Sequence, residues 1–122
     1  MGTGAKLLVV DDDHMMLDFA LRVLASLNYP AVAATEAVIA LRMLQQDPEI
    51  CGLFVDLRLG KAPDGAQLAQ QALLIRPDLW VILTSGDPGS LQCAGRDLQH
   101  NVELLPKPYR RHELADRLSR LM

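Results

Sequence analysis

The chain has 122 residues, of which half are hydrophobic and only 4% are aromatic, and its formal net charge at pH 7 is -3. This length suits one domain with a core of its own, and the composition excludes a disordered or fibrous protein. The acidic balance and the lack of a long basic or apolar run argue against direct nucleic-acid binding and against membrane insertion.

The N-terminal third of the chain predicts a strand, a helix and a second strand. Residues 6–10 form an aliphatic run of strand length that leads directly into three aspartates, Asp11–Asp13. Apolar residues at three- and four-residue steps then predict a helix, and Asp13 is better placed to cap it than to bind a ligand. Residues 30–34 predict a weaker strand. Three adjacent carboxylates at the end of a buried strand require a compensating positive charge.

The middle of the chain repeats this alternation of strand and helix. An apolar stripe over residues 37–44 predicts a helix, and residues 51–57 predict a fully buried strand that ends near Asp56. A further helical stripe spans residues 68–73 and ends before a proline. Residues 79–86 predict a fourth apolar strand. Because these strands show no alternation of apolar and polar residues, we expect both faces of the sheet to be covered.

The C-terminal part of the chain completes the pattern. It predicts a short helix over residues 88–97, a strand over residues 102–106 and a last helix over residues 111–121. Five strands that alternate with helices indicate an α/β fold with a parallel sheet between two helical layers. Right-handed crossovers favour a doubly wound topology, in which the functional crevice lies at the carboxyl ends of the strands.

Charged and hydroxyl-bearing residues lie at or just after the carboxyl ends of four of these strands. They are Asp11, Asp12, Asp13, Asp56, Thr84, Ser85 and Lys107. Clustered carboxylate oxygens favour Mg²⁺, and a lysine beside a hydroxyl supplies the positive charge and hydrogen-bond donor that a phosphoryl group needs. No phosphate-binding loop or serine nucleophile motif is present. Asp56, alone at the end of a central strand, is therefore the best candidate nucleophile.

The segments "VVDDD", "FVDLRL", "ILTSG" and "LPKPY" occur in this order, and together they resemble the signature of response-regulator receiver domains. The resemblance covers essentially the whole chain. It implies a flavodoxin-like (βα)5 fold with strand order 2-1-3-4-5, and a single receiver domain over residues 1–122. The "LLPKPY" segment is most similar to stand-alone receivers and to those of hybrid sensor kinases, so the chain is expected to be one or the other.

The resemblance also implies how the acidic residues divide their roles. Asp56 would accept a phosphoryl group from a histidine kinase or phosphotransfer protein and would also ligate Mg²⁺. Asp12 would ligate the ion directly, Asp11 mainly through water, and Arg58 through its backbone carbonyl. Such a domain assists its own phosphorylation and dephosphorylation and is a signalling switch, not an enzyme with a separate substrate.

The remaining residues of the signature would contact the phosphoryl group. Thr84 would donate its hydroxyl, Ser85 its backbone N–H and Lys107 a salt bridge, and the Lys107–Pro108 peptide bond would be cis. Taken singly, Thr84 is also typical of a strand end and Lys107 of a solvated loop. Only their occurrence together with the aspartates favours the functional interpretation.

The resemblance extends to location and partners. It implies a cytoplasmic domain that contacts a downstream protein target or a covalently linked domain. The face formed by residues 88–121 could also form a homodimer. One departure concerns Leu104, which stands where many receivers carry an aromatic switch residue. Tyr109 is aromatic, but aromatic residues are common at its position in the family.

Two other functions compete with that of a phosphorylated switch. A degenerate receiver would bind partners without phosphorylation, but the intact set of Asp11, Asp12, Asp56, Thr84 and Lys107 argues against it. A flavin-binding redox protein of the same sandwich class would need a phosphate loop rich in Ser, Thr and Gly. The acidic segment after the first strand would instead repel the flavin phosphate.

Overall fold

The computed structural model describes residues 6–60, 63–98 and 102–121, which form five strands and five helices in alternation. The strands are β1 (Lys6–Val10), β2 (Ala31–Ala34), β3 (Ile50–Asp56), β4 (Trp80–Ser85) and β5 (Val102–Pro106). The helices are α1 (His14–Ser26), α2 (Ala37–Gln46), α3 (Gly65–Ile75), α4 (Pro88–Leu98) and α5 (Arg111–Leu121). All the predicted elements are confirmed. Within these ranges no helix is long and apolar enough to cross a membrane.

The strands form one parallel sheet in the order β2-β1-β3-β4-β5, which confirms the predicted flavodoxin-like order. Val10 of β1 lies opposite Val55 of β3, and Asp56 lies opposite Thr84 of β4. Ser85 in turn lies opposite Pro106, the last residue of β5. This register brings the carboxyl ends of β1, β3, β4 and β5 to one edge of the sheet.

Successive residues of each strand belong to two cores on opposite faces of the sheet. Leu8 and Val10 pack with α2, α3 and α4, whereas Leu7 and Val9 pack with α1 and α5. Strands that are buried on both faces need apolar residues at every position, which explains the continuous aliphatic run of β1. Each fully buried leucine contributes roughly 1.5–3 kcal/mol to this packing.

Helices α1 and α3 begin at capping aspartates close to the carboxyl edge. Asp13 Oδ1 accepts hydrogen bonds from the backbone N–H of Met15 at 2.9 Å and of Met16 at 3.4 Å, which confirms Asp13 as the cap of α1. Asp64 and Gln67 form a reciprocal capping box at the start of α3. Both caps satisfy helix N–H groups that would otherwise lack partners, and so fix where the two helices begin.

Candidate functional site

Buried polar residues meet at the carboxyl edge of the sheet. In the described part of the chain they are Asp11, Asp56, Thr84 and Ser85, each at most 7% exposed. Lys107, directly after β5, is partly buried beside them. The topology brings these residues together from four strands that are far apart in sequence, as predicted. Because burial of charged groups is costly, this cluster is the candidate functional site.

Lys107 supplies the positive charge that the buried carboxylates require. Its Nζ lies 2.6 Å from Oδ2 of Asp56 and 3.4 Å from Oδ2 of Asp11. Burial lowers the pKa of Lys107, but hydrogen bonds and charge interactions with the two carboxylates outweigh burial and raise it above 10.5. The lysine is therefore protonated at neutral pH. Its peptide bond to Pro108 is cis, as the resemblance implies.

Burial and neighbouring groups shift the pKa of Asp11 in opposite directions. Burial raises its pKa above 3.8, and the charge of Asp56 acts in the same direction. The backbone N–H of Asp13, which donates to Asp11 Oδ1 at 2.9 Å, and the ammonium of Lys107 lower the pKa but do not compensate fully. A carboxylate in this situation is stabilised by any further positive charge that reaches it.

Asp56 faces a pocket that opens at the edge of the sheet. Its Oδ1 accepts a hydrogen bond from the backbone N–H of Arg58 at 3.0 Å, while its Oδ2 contacts Lys107. The pocket has a volume of about 330 Å³ and is lined by Asp56, Arg58, Ser85, Gly86, Asp87 and Lys107. It is large enough for a phosphoryl group, and both oxygens of Asp56 are oriented by hydrogen bonds.

Thr84 carries an unpaired hydroxyl beside Asp56. Thr84 Oγ1 is the buried side-chain polar atom without a hydrogen-bond partner in the described residues, and Thr84 is 3% exposed. The residue lines a cavity of about 10 Å³ together with Asp11, Asp56 and Tyr109. A space of this size holds one water molecule at most. No protein group in the described residues therefore uses this donor.

No family model matches the chain. Response regulators are among the proteins to which its sequence is similar. Response regulator receiver protein CpdR of Brucella abortus is 24% identical over 117 residues, which is 96% of each chain. Response regulator MprA of Mycobacterium ulcerans is 32% identical over 121 residues, which is 98% of this chain and 50% of MprA. The chain thus spans about half the length of MprA.

Solved structures agree with these relatives. A receiver domain from Clostridium thermocellum aligns with a TM-score of 0.86 and 22% identity, over 96% of this chain and 93% of that one. The signal receiver domain of an HD domain-containing protein from Pseudomonas fluorescens aligns with a TM-score of 0.85 and 25% identity, over the same shares. The chain is a response-regulator receiver domain. It therefore belongs to two-component signalling.

Two acidic residues of the receiver signature lie outside the buried cluster. Asp12 is exposed, and a Cβ built on Gly60 would lie 2.7 Å from its Oδ2, so this carboxylate lies over the loop after β3. Asp13 caps α1. In the described ranges, no group of three or more Asp, Glu, His or Cys side chains is placed to hold a metal ion. The predicted Mg²⁺ ligands, Asp11, Asp12, Asp56 and the Arg58 carbonyl, remain predictions.

The receiver has an aromatic residue behind the site. Tyr109 is buried, and its ring centroid lies 5.5 Å from that of Phe19 and 5.7 Å from that of Phe54. Burial, followed by the charges of Asp11 and Asp56, raises the pKa of Tyr109, so its hydroxyl is neutral. The sequence identifies Tyr109 as an aromatic residue close to Lys107. Its position in the wall of the Thr84 cavity depends on tertiary packing and could not be predicted.

Asp87 was not predicted to belong to the site. Its Oδ1 accepts the backbone N–H of Gly89 at 3.1 Å, and its Oδ2 accepts the hydroxyl of Ser90 at 2.8 Å. It therefore caps α4 and also lines the Asp56 pocket. An aspartate directly before a proline is a recognisable sign of a helix start, so the capping role could have been found in the sequence.

Proposed function

We propose that this receiver accepts a phosphoryl group on Asp56 from the phosphohistidine of a histidine kinase or phosphotransfer protein. The observation that carries the proposal is the 2.6 Å contact between Asp56 Oδ2 and Lys107 Nζ at the floor of an open pocket. It places a carboxylate nucleophile next to a fixed positive charge, which is the arrangement that phosphoryl transfer to a carboxylate requires.

In the proposed step, an oxygen of Asp56 attacks phosphorus. The new P–O bond forms as the P–N bond to the donor imidazole breaks, and the electron pair of that bond stays on the imidazole nitrogen. Lys107 then lies within reach of the incoming phosphoryl oxygens, and Thr84 has an unpaired hydroxyl to donate. We assign the backbone N–H of Ser85 as the third donor. These groups stabilise negative charge on the phosphoryl group.

The donor set of the site fits Mg²⁺ in kind. Asp11, Asp12, Asp56 and the carbonyl of Arg58 offer only oxygen atoms, which are the ligands that Mg²⁺ prefers. Burial and the charge of Asp56 raise the pKa of Asp11, and a further positive charge would stabilise its carboxylate. These four residues would hold the ion. Bound there, it would neutralise part of the charge on the carboxylates and on the phosphoryl oxygens.

The test is the intact mass of the protein after incubation with Mg²⁺ and acetyl phosphate. We expect one acid-stable, base-labile phosphoryl group per chain in the wild type and none in Asp56→Asn, because an amide is a poor nucleophile. Asp18→Asn, which changes an exposed aspartate of α1, should behave as the wild type. Modification that persists in Asp56→Asn would move the phosphoacceptor elsewhere. An unmodified wild type would favour a phosphorylation-independent binding module.

For the output of the switch, we propose the face formed by α4, β5 and α5. A groove of about 330 Å³ between α4 and β5 is lined by Gln92, Gly95, Arg96, Val102 and Leu104. The predicted contact face, residues 88–121, includes residues 99–101, which lie outside the described ranges. Its partner would be a downstream protein, a linked domain or a second copy of the chain.

A further inference from the structure

The Asp56 pocket adjoins a larger groove, and three residues line both of them. The smaller is the pocket of about 330 Å³ described above, and the larger is a groove of about 1080 Å³ between the loop after β3 and α4. The shared residues are Arg58, Ser85 and Asp87. Arg58 and Asp87 are exposed and carry opposite charges. A charged pair therefore borders the mouth of the pocket.

Both members of this pair are anchored next to the site. The backbone N–H of Arg58 donates to Asp56 Oδ1 at 3.0 Å, and the backbone N–H of Asp87 donates to Ser85 Oγ at 3.0 Å. Hydrogen bonds from Ser90 and Gly89 lower the pKa of Asp87, and the nearby charge of Arg58 lowers it further. Asp87 is therefore ionised at neutral pH, and its carboxylate lies within the field of Arg58.

The interior of the pocket makes the charge at its mouth important. Asp11 and Asp56 carry two negative charges against the one positive charge of Lys107. Asp12 adds another carboxylate at the rim. Lys107 and the two charges of a bound Mg²⁺ would at most balance these three carboxylates, so the pocket interior does not attract an anionic phosphoryl donor. Arg58 is the pocket-lining cation that does not contact these carboxylates in the described ion pairs. Charges in a cleft focus the potential that steers a charged molecule into it.

We propose that Arg58 and Asp87 set the rate at which small anionic phosphoryl donors enter the Asp56 pocket, Arg58 by attraction and Asp87 by repulsion. The inference rests on the proposed function of Asp56. With acetyl phosphate, an Asp56 oxygen bonds to phosphorus while the bond from phosphorus to the acetyl oxygen breaks, and acetate leaves with that electron pair. Arg58 and Asp87 do not take part in this bond exchange and act as positioning residues.

The experiment measures the rate constant for phosphorylation by acetyl phosphate in excess Mg²⁺. We expect Arg58→Ala to lower it about threefold to tenfold at low salt, and Arg58→Lys to restore it, because the charge and not the guanidinium shape is used. Asp87→Asn should raise the rate about twofold to fivefold, and asparagine still caps α4. Arg22→Ala is the matched control, since Arg22 is an exposed arginine of α1 paired with Asp18.

Salt and donor charge separate steering from a structural effect. At about 1 M salt the screening length falls to about 3 Å, so the rates of all variants should converge. Phosphoramidate, which carries one negative charge fewer than acetyl phosphate, should show smaller differences. Equal rates in all variants, or rates that change in the same direction in Arg58→Ala and Asp87→Asn, would overturn this inference alone. A wild type that both donors leave unmodified would overturn the proposed function as well.

Discussion

At the scale of single residues, Lys107 offsets the cost of burying Asp11 and Asp56. Lys107→Ala leaves both carboxylates without their ammonium partner, and an unpaired buried charge is strongly destabilising. We expect the free energy of unfolding to fall by about 2 kcal/mol, less than for a fully enclosed pair because solvent reaches the pocket. Urea denaturation at pH 7 in the presence of EDTA measures this loss.

Lys6→Ala is the control for Lys107→Ala, since Lys6 pairs with Asp47 at 2.7 Å where both side chains are partly exposed, and it should matter less. The pH dependence has a definite sign. The folded-state pKa of Lys107 lies above 10.5, so its contribution is complete below pH 10.5 and is lost as the pH rises through the folded-state pKa. Equal losses for both variants at pH 7 would contradict the role assigned to Lys107.

The hydroxyl of Thr84 should lower stability in the folded state that the structure describes. Thr84→Val replaces an unpaired, buried hydroxyl by a methyl group of similar volume. We expect the free energy of unfolding to rise by about 1 kcal/mol, because the cost of burying the hydroxyl disappears. Thermal unfolding measures the change, and Thr84→Ser, which keeps the hydroxyl, should not stabilise. A less stable Thr84→Val would show that the hydroxyl has a partner in the folded protein.

Asp12 and Asp13 are adjacent, but we expect them to differ in their effect on Mg²⁺ affinity. Asp12→Ala should weaken Mg²⁺ binding at least about tenfold. The ion would have few protein ligands, so the loss of one direct carboxylate removes a large part of its binding free energy. Asp13→Ala should keep the affinity and instead lose about 1 kcal/mol of stability through the cap of α1. Calorimetric titration with Mg²⁺ distinguishes the two. Unchanged affinity in Asp12→Ala would exclude it as a ligand.

At the scale of secondary-structure elements, α3 begins in contact with the backbone of β3, and Gly65 permits this approach. A Cβ on Gly65 would collide with the carbonyl oxygen of Asp56 and lie 2.6 Å from Cα of Leu57. Gly65→Ala should therefore lower the free energy of unfolding by about 2–3 kcal/mol and displace the end of β3. Gly86→Ala is the control in urea denaturation, because among the described residues no atom other than those of its chain neighbours lies within 4 Å of its Cβ position. Similar stabilities would contradict the predicted clash.

The strands were predictable because burial on both faces of the sheet requires apolar residues at nearly every strand position. Residues 6–10 and 51–57 read as continuous apolar runs, and the strand ends fall within one residue of those predicted. The edge strand β2 gave a weaker pattern because three of its four residues are only partly buried. Helix α4 gave a sparse pattern for the same reason, since its apolar positions Leu91, Ala94 and Leu98 cover only one stripe.

The candidate site was predictable only as far as strand order decides it. A parallel sheet brings Asp11, Asp56, Thr84 and the residue after β5 to one edge, so their proximity follows from the sequence pattern. Side-chain directions do not follow from that pattern. The contact of Lys107 with both carboxylates and the position of Thr84 in the small cavity depend on rotamers and loop packing.

At the scale of the whole molecule, the carboxyl edge of the sheet connects the site to both helical layers. Thr84 lines a cavity with Tyr109, which contacts Phe19 of α1, whereas Asp87 caps α4 on the opposite layer. Lys107 N–H donates to Ser85 O at 2.9 Å, which couples the end of β5 to the loop before α4. A charge added at Asp56 therefore has direct routes into α1 and into α4.

Of these two routes, we expect the one through α4 to respond more strongly. Phosphorylation adds roughly two negative charges beside Lys107 and Thr84 and draws both groups toward them. The loop at residues 86–87 is exposed, and Gly86 has open space around its Cβ position, so it can move at low cost. Tyr109 instead is buried, and its ring packs against those of Phe19 and Phe54. Leu104 already packs against Gly95 of α4 and has no ring to turn inward.

Amide chemical shifts measured in the presence of Mg²⁺, with and without beryllofluoride as a phosphoryl mimic, test this expectation. The largest shifts should fall in residues 84–98, where the loop and α4 move, and smaller ones near Leu104. The matched control is Asp56→Asn, whose amide shifts should not change because the mimic has no carboxylate to bond. Shifts confined to residues 14–45, with residues 84–110 unchanged, would contradict the assignment of α4, β5 and α5 as the output face. They would point instead to α1, which is the second element that the site contacts through Tyr109.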